Sequence, residues 1–109
     1  MKKLIQLGTA ALILAVSSTA SAMESFEIII KDHMFHPADT TIPANTKVKL
    51  VVKNQGKTAE EFESHSMHRE KVIPAGKQAN IIIGPLKPGT YKFVGEFHED
   101  TAKGRIIVK

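Results

Sequence analysis

Short runs of β-forming residues recur about every ten residues along this sequence, and turn-forming residues separate them. Segment 47–53, KVKLVVK, alternates polar and apolar residues at its start, as a half-buried strand does, and Asn54-Gln55-Gly56-Lys57 then signals a turn. From residue 23 onward we find no convincing amphipathic helical pattern. Seven or eight such strands predict an all-β protein, an antiparallel Greek-key β-sandwich or barrel. The clearest predicted strands are 26–31, 40–42, 47–53, 61–64, 80–83, 91–95 and 105–109.

The first 22 residues have the features of an export signal that is removed from the mature protein. Lys2 and Lys3 form a basic start, residues 4–16 are mostly apolar, and Ala20-Ser21-Ala22 is a small-x-small cleavage site. The apolar run is shorter than the roughly 20 residues that a membrane-spanning helix needs. We therefore expect cleavage after Ala22, a periplasmic location with no remaining membrane span, and one domain made of residues 23–109.

The sequence contains no cysteine, which excludes a disulfide framework, a thiolate zinc site and a thiol nucleophile. Removing Lys2 and Lys3 with the signal leaves 13 of the 15 basic residues against 11 acidic ones, a net charge of +2. The basic residues are scattered, so the sequence does not predict nucleic-acid binding. Burial of large aliphatic side chains, at about 1.5–3 kcal/mol each, can stabilise a small sandwich without disulfides. The side chains predicted to face inward are Ile28, Ile30, Val48, Leu50, Val52, Ile81, Ile83, Tyr91, Phe93, Ile106 and Val108.

Three clusters, at residues 32–37, 60–68 and 95–100, hold nearly all the side chains of metal-ligand type. Each cluster lies near a predicted strand end, and a Greek-key topology can bring such ends to one pole of the sandwich. Carboxylate, imidazole and thioether donors together suit iron or copper better than calcium. If the second cluster is extended, four side chains share one face and Phe62 takes the other. Those four are Glu61, Glu63, His65 and Met67.

Other interpretations of the same residues remain open. A single loop histidine is usually solvated, and the acidic residues of segment 60–63 can simply form a solvated face. Catalysis is less well supported: Ser64 and Ser66 lie near His65, but no nucleophile elbow or oxyanion-hole pattern surrounds them. Glu61 and Glu63 could mimic a glycosidase pair, yet so small a domain offers little cleft for a sugar chain. We therefore expect a binding protein and not an enzyme.

Several segments of the mature chain resemble the cupredoxin family, and together they cover all of it. The resemblance implies the Greek-key β-sandwich that the strand pattern also predicts. The matching segments are Phe35-His36-Pro37, 41–48, 52–54, 73–77, 87–91, Phe97-His98 and Lys103-Gly104.

The chain departs from the blue-copper members of that family at their metal ligands. Those members have histidine, cysteine, histidine and methionine where the resemblance places Glu61, Gly95, His98 and Ala102. Without the thiolate, the sequence cannot form a His₂Cys electron-transfer site. We therefore do not expect a blue-copper centre.

Within the cupredoxins, the segments Glu61-Phe62-Glu63-Ser64 and Gly95-Glu96-Phe97-His98 resemble a narrower subgroup. This subgroup comprises small periplasmic proteins similar to the cupredoxin domain of EfeO-type and Ftr-type iron-uptake systems. The resemblance implies a divalent transition metal, iron or copper, and a partner such as a membrane iron permease or another periplasmic component. The metal ligands that it implies are Glu61, Glu63, His98 and His33.

Two alternative functions stay open from the sequence. One is a periplasmic copper storage or delivery protein, because thioether sulfur favours Cu(I); its candidate ligands are His33, Met34, His36, His65, Met67 and His68. The other is a metal-free interaction module that docks on a membrane transporter.

Overall fold

Residues 23–109 are described by a computed structural model, which contains nine strands and one short 3-10 helix, Glu96–His98. The predicted export signal lies outside the described residues. Within residues 23–109, no helix is long and apolar enough to cross a membrane. The strands are β1 Ser25–Lys31, β2 Met34–His36, β3 Asp39–Ile42, β4 Val48–Asn54, β5 Glu60–Ser64, β6 Arg69–Ile73, β7 Gln78–Ile83, β8 Gly89–Gly95 and β9 Lys103–Val108.

The strands form two sheets, which confirms the predicted all-β sandwich. One sheet has the order β2-β1-β4-β7 and the other the order β3-β9-β8-β5-β6. Pairing is mostly antiparallel, but β1 pairs with β4 and β3 with β9 in parallel. These two pairs depart from the antiparallel pairing expected for the sandwich, since alternation predicts which face of a strand is buried and carries no information about its direction.

The core lies between the two sheets and contains ten of the eleven side chains that alternation predicts to face inward. The exception is Tyr91, which is half-buried against the core because its hydroxyl donates a hydrogen bond to the Lys87 carbonyl oxygen. Three phenylalanines fill the end of the core nearest the ligand clusters. The Phe93 ring lies 4.8 Å from those of both Phe35 and Phe62, stacked on Phe62 and edge-on to Phe35.

Two strands, β2 and β6, do not follow from the sequence pattern. Strand β2 forms a hairpin with β1 through the two residues Asp32 and His33, whose φ angles of 54° and 56° give the turn the twist of a two-residue hairpin. Strand β6 lies at a sheet edge with only Ile73 buried, so it lacks the alternation that reveals a half-buried strand.

Candidate metal centre

One pole of the sandwich carries a pocket of about 440 Å³ between the β1–β2 hairpin, the loop from β4 to β5 and the 3-10 helix. His33 enters it from the hairpin tip, Glu60 from the start of β5 and His98 from the end of the 3-10 helix. Two of the four predicted ligands, His33 and His98, therefore meet here. Loops from both sheets form this pole, as the Greek-key topology allows.

Glu60 is the buried carboxylate of this pole, with 1% of its surface exposed. Its Oε1 accepts hydrogen bonds from the backbone N–H groups of Glu61 and Phe97, both at 2.9 Å. Its Oε2 lies 2.7 Å from Nδ1 of His98. A buried carboxylate is tolerated only when it is paired and hydrogen-bonded, and these three contacts meet that requirement.

His33 is held at the pole by its backbone and its ring. Its positive φ is the one that the two-residue turn requires, and the turn places His33 at the hairpin tip. Its carbonyl oxygen accepts a 2.6 Å hydrogen bond from the Thr101 hydroxyl, which joins the hairpin tip to the loop before β9. Its imidazole stacks on that of His98, with ring centres 3.7 Å apart and planes 19° apart.

Gly95 leaves the space that the Glu60 carboxylate fills. A Cβ atom on residue 95 would come within 2.6 Å of both the Glu60 carboxyl carbon and the Cβ of Ala102. The carboxylate beside Gly95, His98 and Ala102 is thus that of Glu60, and not that of Glu61, which the resemblance places at the first histidine position. The reason is strand alternation: Glu60 and Phe62 point inward, so Glu61 points outward.

Glu61 and Glu63 lie instead on the outer face of β5, where they meet two further acidic side chains. Glu70 comes from β6, directly opposite Glu63, and Glu96 comes from the start of the 3-10 helix. One carboxylate oxygen from each residue lies within 4.8 Å of the others. We call these four residues the outer carboxylate cluster.

The crowding of these carboxylates changes their pKa values. Contacts with Glu96 and then Glu70 raise the pKa of Glu61 from 4.5 to about 8. The same neighbour, Glu96, raises the pKa of Glu63, while hydrogen bonds from Glu61 and Glu63 lower the pKa of Glu96. Glu61 therefore retains its proton at neutral pH, whereas Glu96 is held in its charged form.

The four predicted ligands consequently fall into two places, Glu61 and Glu63 in the outer carboxylate cluster and His33 and His98 at the pole. Glu70 was not predicted as a ligand, because β6 leaves no strand pattern in the sequence, and no role was predicted for Glu60 or Glu96. Both of these lie inside ligand-rich segments, but a fully buried glutamate is rare enough that sequence reasoning does not select it.

The predicted shared face of Glu61, Glu63, His65 and Met67 is wrong beyond Glu63, because β5 ends at Ser64 and a turn follows. The Ser64 hydroxyl accepts a hydrogen bond from the Met67 backbone, and the Met67 side chain enters the core. His65 is 94% exposed, and its Nε2 lies 3.0 Å from Glu63. Within residues 23–109, the outer carboxylate cluster is the one group of three or more histidine, aspartate or glutamate side chains that converge on a common point.

The sequence model of the cupredoxin-like domain matches residues 4–108. This chain belongs to the cupredoxin-like domain family. An uncharacterized protein of Rickettsia prowazekii (strain Madrid E) is 51% identical to this cupredoxin-like chain over 82 residues, which are 75% of the chain and 66% of that protein. The chain thus spans just under two thirds of the length of this relative.

Several solved structures share the fold of this cupredoxin-like domain. The metal-binding domain of the Cu(I)-exporting P-type ATPase CopA of Streptococcus pneumoniae D39, solved with Cu(I), has a TM-score of 0.69 at 14% identity, covering 82% of this chain and 88% of that one. Auracyanin A, a blue copper protein of Chloroflexus aurantiacus, has a TM-score of 0.67 at 13% identity, covering 78% and 98%. A purple cupredoxin of Nitrosopumilus maritimus has a TM-score of 0.58 at 18% identity, covering 76% and 98%. At these identities the likeness establishes the fold alone.

The donor set of this cupredoxin-like domain does not fit a blue-copper ion. Gly95 and Ala102 offer no side-chain donor at the pole, and the carboxylate of Glu60 fills the space beside them. What remains is a pair of imidazoles supported by a buried carboxylate, together with four carboxylates on the outer sheet face. Carboxylate oxygen and imidazole nitrogen suit divalent ions such as iron, manganese and Cu(II) better than Cu(I).

Proposed function

We propose that this chain is a periplasmic metal-binding protein that captures iron and passes it to a high-affinity membrane permease. In this proposal residues 1–22 direct export and are removed, residues 23–109 are the working domain, and the protein is not an enzyme. The resemblance to the cupredoxin domain of EfeO-type and Ftr-type iron-uptake systems supports the biological setting. The family supports metal handling, because cupredoxins of the same fold are copper proteins.

The observation that carries the proposal is the outer carboxylate cluster. Four carboxylates whose oxygens lie within 4.8 Å of one another repel each other unless protons or a cation neutralise them. Glu61 and Glu63 were already predicted as ligands, and Glu70 and Glu96 complete a set of hard oxygen donors. Such donors match iron, and the half-exposed face gives an incoming ion direct access.

Capture at this cluster exchanges protons for metal. The raised pKa of Glu61, about 8, means that its carboxyl holds a proton at neutral pH, and an incoming divalent ion displaces it. Affinity should therefore increase as the pH rises toward 8. The ion passes to a partner if the partner binds it more tightly, because the partner's ligands are more basic or more numerous.

Copper binding at the pole is the second candidate function, and the stacked imidazoles of His33 and His98 favour it. The wider histidine and methionine set expected for copper storage is dispersed. Met67 is buried in the core, His65 contacts Glu63, and the Nε2 atom of His36 lies 3.2 Å from the Lys31 carbonyl oxygen. Copper at the pole would therefore depend on His33 and His98 alone.

The test is an anaerobic Fe(II) titration of residues 23–109 by calorimetry. Loss of one charged ligand, in Glu61→Gln or Glu63→Gln, should weaken Fe(II) binding about ten- to a hundredfold, a cost of about 1–3 kcal/mol. Glu99→Gln is the matched control, because it removes one exposed carboxylate from the same end of the domain outside the cluster.

Three outcomes separate the hypotheses. If both cluster variants bind Fe(II) as tightly as the parent, the carboxylates are a solvated face and iron capture at this cluster is rejected. If Cu(II) binds and His33→Ala and His98→Ala abolish that binding, the copper function at the pole replaces it. If the parent binds neither ion at micromolar concentration, the domain is a metal-free docking module.

A further inference from the structure

The buried contact between Glu60 and His98 determines which nitrogen of His98 carries its proton. A carboxylate oxygen can only accept a hydrogen bond, so Nδ1 of His98, 2.7 Å from Oε2, must be the protonated nitrogen when Glu60 is ionised. We infer that Glu60 is a positioning residue that holds His98 in its Nδ1–H tautomer and thereby presents Nε2 as a metal donor at the pole. This inference rests on the proposed function only through its second candidate, which assigns a metal to the pole.

Glu60 itself is poorly placed to bind an ion. Its side chain is 2% exposed, and its two oxygens already receive three hydrogen bonds, two from backbone N–H groups and one from His98. An ion would have to break these contacts and enter the core to reach it. The His98 side chain, in contrast, is 28% exposed and lines the pole pocket.

The remaining contacts of His98 leave Nε2 available. His33 covers one face of the ring by stacking, which fixes the ring plane without using the in-plane lone pair of Nε2. None of the hydrogen bonds formed by residues 23–109 involves Nε2 of His98. A histidine in which one nitrogen donates to a carboxylate while the other makes no hydrogen bond has the arrangement that metal-ligating histidines usually show before the ion binds.

Gly95 belongs to the same unit, because any side chain at that position would displace the Glu60 carboxylate. At the position where the resemblance places the blue-copper cysteine, this chain has Gly95, and the Glu60 carboxylate lies beside it. Glu61, one residue further along, faces the opposite side of the sheet and cannot act in this way. Because the two side chains point to opposite faces of the sheet, Glu60→Gln and Glu61→Gln form a matched pair of variants.

The experiment measures the ring nitrogens of His98 by ¹⁵N NMR in metal-free protein at pH 8, where an ordinary imidazole is neutral. The parent should show a protonated Nδ1 and an unprotonated Nε2. In Glu60→Gln the side-chain amide can donate to Nδ1, and the ring should shift to the Nε2–H tautomer. Glu61→Gln should leave the ring nitrogens unchanged.

Zn(II) alone, which is diamagnetic, then probes the donor. Zn(II) should shift the Nε2 resonance of His98 in the parent and in Glu61→Gln, and Glu60→Gln should need about ten- to a hundredfold more Zn(II) for the same shift. The inference is overturned by a parent ring protonated at Nε2, by an unchanged tautomer in Glu60→Gln, or by an Nε2 that ignores Zn(II). The tautomer of His98 in the parent protein tests the inference even if Glu60→Gln fails to fold. None of these results depends on Fe(II) binding at the outer carboxylate cluster.

Discussion

Replacing Gly95 with alanine tests whether the pole is built around the Glu60 carboxylate. The added methyl group would lie 2.6 Å from both the Ala102 Cβ and the Glu60 carboxyl carbon, whereas unstrained carbon atoms pack at about 3.5–4.0 Å. Neither neighbour can move freely, because Ala102 is fully buried and the carboxylate is held by three hydrogen bonds. The substitution must therefore compress the core or displace the carboxylate.

The expected cost follows from these two effects. Forcing an extra carbon into a packed core costs about 1–3 kcal/mol, and loss of a buried hydrogen-bond partner costs about 1–3 kcal/mol. Gly95→Ala should therefore lower the free energy of unfolding by at least about 1 kcal/mol, and by up to about 6 kcal/mol if both effects occur. In a domain of this size each kcal/mol corresponds to about 4–8 °C in Tm. Even the lower limit is therefore easily measured.

The assay is urea unfolding of residues 23–109, followed by circular dichroism with a chelator present at one fixed pH. Ala102→Gly removes one of the two collisions, so the double variant should be less destabilised than the sum of the single variants by at least about 0.5 kcal/mol. A cost below about 0.5 kcal/mol for Gly95→Ala, or strict additivity with Ala102→Gly, would contradict the reasoning. Either result would show that a side chain at residue 95 does not compete for space with the Ala102 methyl group and the Glu60 carboxylate.

Three further predictions concern the core, the outer carboxylate cluster and the spectrum. Phe62→Ala should lower the free energy of unfolding by about 3–5 kcal/mol in urea, because the ring is fully buried and stacks on Phe93; a loss under about 1 kcal/mol would contradict its core position. Since the pKa of Glu61 in the folded chain is raised from 4.5 to about 8, the folded state binds more protons, and the metal-free domain should lose stability as pH rises through that interval. Glu61→Gln should reduce this slope in urea midpoints measured across the same range, and an unchanged slope would refute the assignment. Cu(II)-loaded protein should show only weak ligand-field absorption, and an intense visible band of the copper–thiolate kind would be incompatible with a chain that has no cysteine.

Strand alternation was enough to predict the sandwich core but not the full sheet order. Val48 lies between Lys47 and Lys49, and Leu50 and Ile106 each follow a basic residue, so alternation predicts their burial. Strand β6 has four exposed residues in succession, and β2 has only three residues, so neither leaves a pattern. The parallel pairing of β1 with β4 depends on connections across the whole domain, which local periodicity does not encode.

Strand alternation predicted which residues of the candidate site share a strand face. It could not predict which residues of different strands meet in the folded domain. Glu61 and Glu63 lie on one face with Phe62 on the other, as alternation requires. Glu70 joins them through the β5–β6 pairing, which was not foreseen. Glu60 contacts a histidine 38 residues away and also accepts hydrogen bonds from two backbone N–H groups, and these contacts explain why a carboxylate is buried there.

The position of β5 between two neighbours limits how this protein can vary in length. Five residues pair with β6 on one side, and two of them also pair with β8 on the other. Deleting or inserting one residue here would exchange the two faces, which would expose Phe62 and direct Glu61 and Glu63 into the core. Related sequences can therefore replace individual side chains of β5 one at a time, but insertions and deletions should be confined to the loops on either side of it.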